Sequence, residues 1–502
     1  MSRRVAAAIL ITYVALSAAA RFAGWPVPIV KVPFLGGAFS GWILLALLGF
    51  AGVRLAIKGG RFEPNPLTAK KLARFRSIRR GHVSFIIVVA LVFTASLDSL
   101  LVGKRPLLIS YNGKWSCPFL LPPLEAKDFG EKIDGEPDYR RLQERFARES
   151  RGDWMIMPPV PWEPRLDADT IVEDLVVKDG VVYDPEGVRP FNGIAWRQFV
   201  DKPGQRRQEI RYRAGLKHGD MRGWDITGEQ VEKGKYDSGK QLSYEYFGKS
   251  PATEQDALAD TRLRRTLYPP TPPSWKQRHY LGTDSAGNDV LAVLYGGLQQ
   301  SVIASLLFLF CTFSLGIALG CSMGYAGGWW DLIMQRIIEI WSNIPFLLVV
   351  MILTTLIRPD LLILVIIIAL FSWMSTTAYL RTSTFRERER DYVAAARLAG
   401  AGTWRVIRVH ILPNVISTIV TLMPFKVATI ITSLAALDFL GFGLPPEEPS
   451  WGRLLHEGTE NFNAPWIVSA AFGAIVVTLI LVTFIGEAVR EAFDPKKFTT
   501  WQ

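Results

Sequence analysis

The sequence predicts an all-α transmembrane bundle that is interrupted by a β-rich polar segment. Of the 502 residues, 49% are hydrophobic and only 21% are charged, a composition more apolar than that of an ordinary soluble domain. Several apolar runs exceed the roughly 20 residues that a helix needs to cross hydrocarbon. Between the third and fourth of these runs lies a long polar stretch whose middle alternates apolar and polar residues, a pattern typical of strands.

Three apolar runs precede the polar stretch, at 5–23, 39–57 and 82–102. We interpret the first two as an extra N-terminal transmembrane hairpin within residues 1–58. The LSAAA at 16–20 also resembles a signal-peptide cleavage site, so cleavage of the first run stays open.

The loop 59–82 follows the hairpin and is strongly basic. Eight Lys and Arg residues fall between positions 58 and 80 against a single Glu. Short positive loops are retained in the cytoplasm, so we expect this loop to be cytoplasmic and 83–103 to be the next membrane helix. We attribute the net charge of +11 to Lys and Arg residues that orient the chain in the membrane, and we predict no nucleic-acid partner.

The polar stretch 104–278 is expected to form a periplasmic insert with β-hairpin repeats at about 170–247. Glycines separate short alternating runs there, as in VVKDGVVYDPEG. An internal repeat supports hairpins, because three residues recur 24 positions later: Gly204, Tyr212 and Gly215 correspond to Gly228, Tyr236 and Gly239. This pattern is similar to MORN or YwqK-type repeats. An inert spacer and a binding module both remain open.

Five apolar segments follow, at about 298–325, 332–357, 361–383, 415–437 and 466–489. Strict alternation from a cytoplasmic N-terminus gives eight spans and a cytoplasmic C-terminus. The stretch between the third and fourth of these five segments then lies in the cytoplasm, and its many arginines agree with that side.

That stretch, 391–414, is predicted to form two short helices joined at a glycine elbow. Gly400 and Gly402 suit a tight turn, and the second helix is expected from Trp404 to His410. Pro413 is expected to end it and to begin the next membrane helix. The alanine ridge at 394–396 favours insertion into a partner's groove, although a membrane-surface hairpin without a partner has the same pattern.

Here the sequence resembles a known family. The order A-A-A-x3-G, ten residues, then I-L-P resembles the "EAA" coupling loop of ABC importer permeases, with Ala394 in place of the usual Glu. Three further blocks extend the resemblance from about Trp275 to the C-terminus: HYLGTDSAGNDVLAVLYGG at 279–297, LDFLGFGLPPEEPSWG at 437–452 and IGEAVREAFDP at 485–495. Together they resemble the second permease of dipeptide and oligopeptide importers, most closely the Yej-type permease linked to microcin C and other antimicrobial peptides.

The resemblance implies a six-helix type I importer core, with the domain at 279–502 and a coupling loop at 391–413 that enters a cleft on the ATPase. The implied coupling residues are Tyr392, Ala394, Ala395, Ala396, Gly400, Gly402, Arg405, Arg408 and Pro413. The implied partners are a homologous second permease, ABC ATPase subunits, a periplasmic peptide-binding protein, a peptide substrate and membrane lipid. The implied location is the bacterial inner membrane.

Polar residues near or within the spans are further candidates. The block at 282–289 is implied to lie at the periplasmic mouth with Gly282, Asp284 and Asp289, although Asp289 also suits a helix start electrostatically. Residues beside helix breakers or loops are candidates for lining the pore, with interhelical packing as the alternative. They are Asn343, Lys426 and Asp438. Arg336 and Glu339 are spaced to pair across one helical turn.

No catalytic, cofactor or metal site is predicted. The sequence has no G-x4-G-K-[ST] phosphate loop, and its cysteines and histidines lack ligand spacing. Energy must therefore come from another subunit or from an ion gradient. Two alternatives to an importer subunit remain: a secondary transporter with Asp438 or Glu339 as proton carrier, and a membrane-anchored periplasmic ligand sensor.

Overall fold

The structure is a computed structural model that describes residues 66–96, 100–118, 124–130, 135–149, 152–165, 167–168, 171–200, 202 and 204–493. The predicted N-terminal hairpin, 1–58, lies outside the described residues. The chain forms two compact units. One is built mainly from 168–271, and the other contains the long apolar helices.

Thirteen helices are labelled here within the described ranges. They are α1 (Pro66–Ser77), α2 (Arg79–Ser96), α3 (Tyr139–Glu149), α4 (Ala252–Ala257), α5 (Val290–Ala326), α6 (Gly328–Ser342), α7 (Phe346–Leu356), α8 (Leu361–Arg388), α9 (Asp391–Leu398), α10 (Thr403–Arg405), α11 (Leu412–Phe439), α12 (Trp451–Glu460) and α13 (Pro465–Phe493). A π-helical turn, Val406–Ile411, joins α10 to α11.

Four helices in the described part of the chain are long and apolar enough to cross a membrane. They are α5, α8, the continuous helix Thr403–Phe439 and α13. Two bent pairs pass the same test when each is counted as one span: α1 with α2, which meet at 96°, and α6 with α7, which meet at 70°. The predicted six-helix core requires both bent pairs to be spans, so that count stays a prediction.

The apolar segment predicted at 332–357 is not one continuous helix, because the chain breaks between α6 and α7. Pro345 has no backbone N–H and disfavours helical backbone at Ile344, so the helix ends at Ser342 and restarts at Phe346. The helix predicted from about 298 begins eight residues earlier, at Val290. Its first turn is capped by Asp289, whose Oδ1 accepts a hydrogen bond from the Ala292 backbone N–H at 2.7 Å.

Three glycines at four-residue spacing bring α5 and α8 into close contact. A Cβ added at Gly316, Gly320 or Gly324 would lie 2.6–2.8 Å from atoms of α8, so larger side chains do not fit there. Small residues at this spacing let two membrane helices approach closely. The bundle core continues from this interface, with Phe308 of α5 and Leu364 of α8 fully buried beside Ile430 of α11.

A small sheet follows α2 in the same unit. Its strands are β1 (Leu108–Tyr111), β2 (Lys114–Ser116) and β3 (Trp154–Ile156), in the antiparallel order β2-β1-β3. Helix α3 covers one face of this sheet, where Leu142 and Phe146 pack against Ile109 and Met155.

The other unit is dominated by an antiparallel seven-stranded sheet. Its strands and those of an accompanying hairpin are β4 (Ile171–Asp174), β5 (Val176–Lys178), β6 (Val181–Tyr183), β7 (Gly193–Gln198), β8 (Arg206–Arg213), β9 (Leu216–Trp224), β10 (Gln230–Asp237), β11 (Lys240–Tyr246) and β12 (Arg264–Leu267). The sheet order is β11-β10-β9-β8-β7-β12-β4, and β5 pairs with β6.

The predicted repeat corresponds to two equivalent hairpins. Gly215 between β8 and β9 and Gly239 between β10 and β11 have φ of +77° and +85°, each preceded by a residue with φ near +47°. Two successive positive φ angles define the tight hairpin turn that matches strand twist, and glycine adopts them without strain. Tyr212 is buried in the sheet core and Tyr236 packs against it, so equivalent positions have equivalent roles.

Candidate coupling loop and membrane path

The predicted elbow lies at the end of α9, and a single glycine makes it. Gly400 has φ +79°, whereas Gly402 is extended, with φ −66° and ψ 156°. Of the two glycines predicted to suit the turn, only Gly400 therefore needs the left-handed conformation. The backbone N–H of Ala401 bonds back to the Ala396 carbonyl at 3.0 Å and closes the turn.

The second helix of the loop continues without interruption into the membrane helix. Pro413 lies in the first turn of α11, as predicted, but Thr403–Phe439 forms one continuous helix. Because Pro413 has no N–H, an α-helical bond to the carbonyl four residues earlier is impossible. The chain forms a wider turn here, in which the Leu412 N–H bonds to the Ile407 carbonyl five residues back.

Buried residues anchor the coupling loop in the bundle. Val393 of α9 and Val406 of the π-helical turn are fully buried against Phe313 of α5 and Leu380 of α8. These contacts join both arms of the loop to two of the four long apolar helices. The loop is therefore held to the bundle by direct packing.

Polar contacts fix the start of α9. The Tyr392 hydroxyl donates to Glu387 Oε2 at 2.5 Å and accepts from Asn414 Nδ2 at 3.0 Å, which connects α9 to α8 and α11. Partial burial, followed by the hydrogen bond to Glu387, raises the pKa of Tyr392 to about 12. The phenol thus stays protonated near neutral pH and remains a donor. Arg397 stacks on the Tyr325 ring, with Cζ 4.9 Å from the ring centroid.

The outer side of the loop is exposed and largely apolar. Leu398 is 90% exposed and Trp404 is 71% exposed, and Ala394 and Ala395 of the alanine ridge are also exposed. Arg405, Arg408 and Pro413 are exposed as well. Clustered apolar exposure of this kind marks an interaction surface. The loop therefore has a buried side fixed in the bundle and a free side suited to a partner.

Gly282, Asp284 and Asp289 of the 282–289 block are buried just before α5. Asp289 caps the helix through Oδ1, and its Oδ2 lies 2.9 Å from His279 Nδ1, with both side chains fully buried. His279 stacks on Trp162 with ring centroids 4.0 Å apart. Asp289 thus lies at the helix start, as predicted, and acts there as the N-cap.

Asp284 is also engaged within this block. Its carboxylate accepts hydrogen bonds from the Asn288 backbone N–H at 2.8 Å and from Asn288 Nδ2 at 2.9 Å. Gly282 has φ +77°, and its carbonyl accepts from the Val290 N–H at 3.1 Å. The three predicted mouth residues thus lie together, and a gating or receptor-contact role for them remains a prediction.

The three candidate pore residues lie in different surroundings. Asn343 ends α6 and is exposed, and its Nδ2 donates to the Glu339 carbonyl at 2.7 Å. Lys426 of α11 reaches α8, where Nζ donates to the Ser372 carbonyl at 3.0 Å and to Ser375 Oγ at 2.7 Å. The nearby Arg336–Glu339 pair forms as predicted, at 2.5 Å.

Asp438 is buried near the end of α11 and organises the loop that follows. Its Oδ1 accepts from the Leu444 backbone N–H at 2.6 Å, and its Oδ2 accepts from the Ser450 hydroxyl. Ser450 is in turn the N-cap of α12. The adjacent cavity has a volume of about 20 Å³, room for about one water molecule and far too little for a peptide.

Two buried pairs were not recognised in the sequence. Asp331 of α6 accepts two hydrogen bonds from Arg381 of α8, at 2.5 and 2.6 Å, and is itself buried. Arg381 within the apolar segment 361–383 was the available signal for this pair, because charge at membrane depth requires a partner. The other pair, His279 with Asp289, joins residues ten positions apart across a turn.

Comparison with known proteins identifies the family. The family described as "Binding-protein-dependent transport system inner membrane component" matches residues 316–499. The "Peptidoglycan transport system permease protein YejE" of Agrobacterium fabrum is 30% identical over 451 residues, covering 89% of this chain and 98% of that protein. The "Inner membrane ABC transporter permease protein YejE" of Escherichia coli is 30% identical over 433 residues, covering 86% and 98%.

A further relative matches a smaller share of the chain. The "Oligopeptide transport system permease protein OppC" of Mycobacterium tuberculosis is 32% identical over 227 residues, covering 45% of this chain and 77% of that protein. The family match at 316–499 contains the coupling loop and the long helices α8, α11 and α13. The chain therefore belongs to the family of binding-protein-dependent ABC transporter permeases, multi-pass inner-membrane components of peptide importers.

Proposed function

We propose that this chain is one permease subunit of an ATP-driven importer that carries peptides, either oligopeptides or microcin C-like peptides, across the inner membrane. It pairs with a homologous second permease and receives peptide from a periplasmic binding protein. The observation that carries the proposal is the two-sided coupling loop, 391–413. Its buried side is anchored by Val393 and Val406, and its free side exposes Leu398 and Trp404.

A separate ATPase subunit supplies the energy. The exposed alanine ridge and the two large apolar side chains enter a cleft on that subunit, where burial of apolar surface stabilises the contact by about 25 cal/mol per Å². Closure of the ATPase dimer moves the loop, and packing of Val393 against α5 and α8 passes the movement to the membrane helices. Alternating access to the peptide pathway results.

Two observations support this proposal over ion-driven transport. A proton carrier needs a carboxylate that is accessible and exchangeable, and both oxygens of Asp438 are engaged by Leu444 and Ser450. Glu339 is paired with Arg336 on an exposed surface. Neither arrangement favours a carboxylate that loads and releases protons during transport.

The orientation of the chain follows from the same proposal. The coupling loop faces the cytoplasm, both termini lie on that side, and the unit built from 168–271 lies in the periplasm. A reporter fused within 58–82 should then give a cytoplasmic signal, and one fused at about residue 220 a periplasmic signal. The first loop is short and strongly basic, whereas long polar segments translocate largely regardless of their charge. An external signal from the 58–82 fusion would contradict the span count and the placement of the loop.

The function is tested by reconstitution. The full complex is purified through a tag on this chain, its partners are identified by mass spectrometry, and peptide uptake into proteoliposomes is measured with and without ATP.

Leu398→Asp should strongly reduce co-purification of the ATPase, because a charge on the docking surface must be desolvated. Val188→Asp is the matched control, since Val188 is 70% exposed and lies in the sheet unit. Equal effects of the two substitutions, or uptake without ATP, would contradict the proposal.

A further inference from the structure

Two long apolar helices carry polar residues on exposed faces. In α8 these are Ser375, Tyr379 and Thr382, at spacings of four and three, and α11 has Thr429 and Thr432 just beyond Lys426. Such spacing places the residues along one side of each helix. Polar side chains on membrane helices generally face the bundle interior or a water-filled cavity. These two faces are therefore suited to border a water-filled cavity.

Lys426 is the charged group on this side. Its ammonium lies in the middle third of α11 and is half-buried, and it contacts two neutral oxygens of α8, the Ser372 carbonyl and Ser375 Oγ. The Ser375 hydroxyl also donates to the Ser372 carbonyl, at 3.1 Å, so its proton is already engaged. An ammonium has three donors, and one N–H of Lys426 has no acceptor among the described residues.

The charge of Lys426 is also uncompensated, whereas two neighbouring charges that involve α6 are paired. Asp331 is paired with Arg381, and Arg336 is paired with Glu339. No carboxylate of the described chain lies within ion-pair distance of Lys426. A cation at membrane depth is costly without an anionic partner, so the arrangement is suited to an anion from outside this chain.

We propose that Lys426, held in place by Ser372 and Ser375, forms a transient subsite for the C-terminal carboxylate of the peptide in transit. The inference rests on the proposed function, because it assumes that peptides pass along this side of the bundle. The α-carboxylate is the anion that all linear peptides share, whatever their side chains. A bond from one remaining N–H to a carboxylate oxygen is charge-assisted, yet single bonds of this kind still permit release.

A different source of the same chemistry is an acidic side chain of the second permease. Such a residue would pair with Lys426 permanently and stabilise the complex between subunits. A peptide carboxylate would instead pair with Lys426 only during transport. Removing the charge of Lys426 therefore distinguishes the two sources. If the partner is an acidic side chain of the second permease, subunit assembly is lost. If the partner is a peptide carboxylate, discrimination between free and blocked C-termini is lost.

The test uses the assembled transporter with its binding protein in proteoliposomes. A mixture of tripeptides to hexapeptides is supplied with either free or amidated C-termini, and initial uptake of each form is quantified by mass spectrometry. The ratio of acid to amide uptake is compared between wild type, Lys426→Met and Lys426→Arg. Any preference of the binding protein for free C-termini is the same in all three, so it cancels from the comparison.

We expect Lys426→Met to lower uptake of the free acids about tenfold and to leave the amides within about twofold, while Lys426→Arg retains most of the wild-type ratio. Arg336→Met removes a cation that is already paired and should leave the ratio unchanged. An unchanged ratio in Lys426→Met, an equal loss of both peptide forms, or loss of the second permease from the purified complex would overturn the inference. If wild type imports neither form, the proposed function itself fails.

Discussion

The glycine elbow of the coupling loop allows a prediction with an internal control. A Cβ added at Gly400 or at Gly402 would meet no atom within 4 Å, so neither substitution creates a clash. The two positions differ in backbone conformation, because Gly400 has φ +79° and Gly402 has φ −66°. Gly400→Ala therefore costs about 1–2 kcal/mol of left-handed backbone strain, and Gly402→Ala costs none of it.

The expected consequence is weaker docking of the ATPase. If the strained elbow relaxes in the free permease, docking must restore it, and 1–2 kcal/mol corresponds to an affinity about five- to thirtyfold lower. Gly400→Asn should have an intermediate effect, since Asn tolerates the left-handed region better than Ala. Gly400→Val should be the most severe of the series and should abolish peptide uptake.

The measurement is the affinity of the purified ATPase subunit for the detergent-solubilised permease complex, followed by ATP-dependent peptide uptake. Membrane insertion should be the same for all variants, which fluorescence-detected size exclusion of the tagged chain will check. Equal effects of Gly400→Ala and Gly402→Ala would refute the reasoning from backbone strain. Unchanged uptake in Gly400→Val would refute the coupling role of the loop.

Three further predictions concern the rest of the chain. Gly223→Ala would place a Cβ onto the buried carboxylate of Glu232 and should destabilise the sheet unit by about 3–5 kcal/mol, seen as faster amide exchange of its strands; unchanged exchange would contradict this. Arg381→Met should lower the thermal stability of the solubilised protein more than the double variant with Asp331→Leu, because the single change leaves a buried acid unpaired; equal stabilities would show that the pair is not coupled. Replacing 168–271 by a short flexible linker should leave the complex assembled. If the unit helps to capture peptide, the apparent KM for peptide uptake should rise while the maximal uptake rate stays unchanged. Failure of the complex to assemble would show that the unit is structurally required.

Apolar runs predicted where the long helices lie, but not where they begin and end. Hydropathy identifies only the stretch of a helix that can lie in hydrocarbon. The start of α5 lies before that stretch, because the helix begins at Val290, where Asp289 caps it. The run at 332–357 stays apolar across Pro345, so averaging over the run concealed a break that the proline itself indicates. Local backbone chemistry decides helix ends, and run length does not.

The coupling loop was predictable in outline because its determinants are local. Alanines, an elbow glycine and a proline act within a few residues of one another, and the structure differs mainly in the role of Gly402 and in the continuity of the helix through Pro413. The buried pair of Asp331 and Arg381 is 50 positions apart in sequence. Such a pair depends on how α6 and α8 pack, and no spacing rule in one sequence specifies it.

The unbroken helix from Thr403 to Phe439 has a mechanical consequence. With 37 residues it is about 55 Å long, at about 1.5 Å per residue, and it carries Trp404 at one end and Asp438 at the other. A rod of that length that tilts by about 5° about one end displaces the other end by roughly 5 Å. Asp438 accepts a hydrogen bond from Ser450, which is the N-cap of α12. Such a tilt therefore moves the start of α12 through this hydrogen bond, and the movement does not have to pass along the backbone of the loop between the two helices.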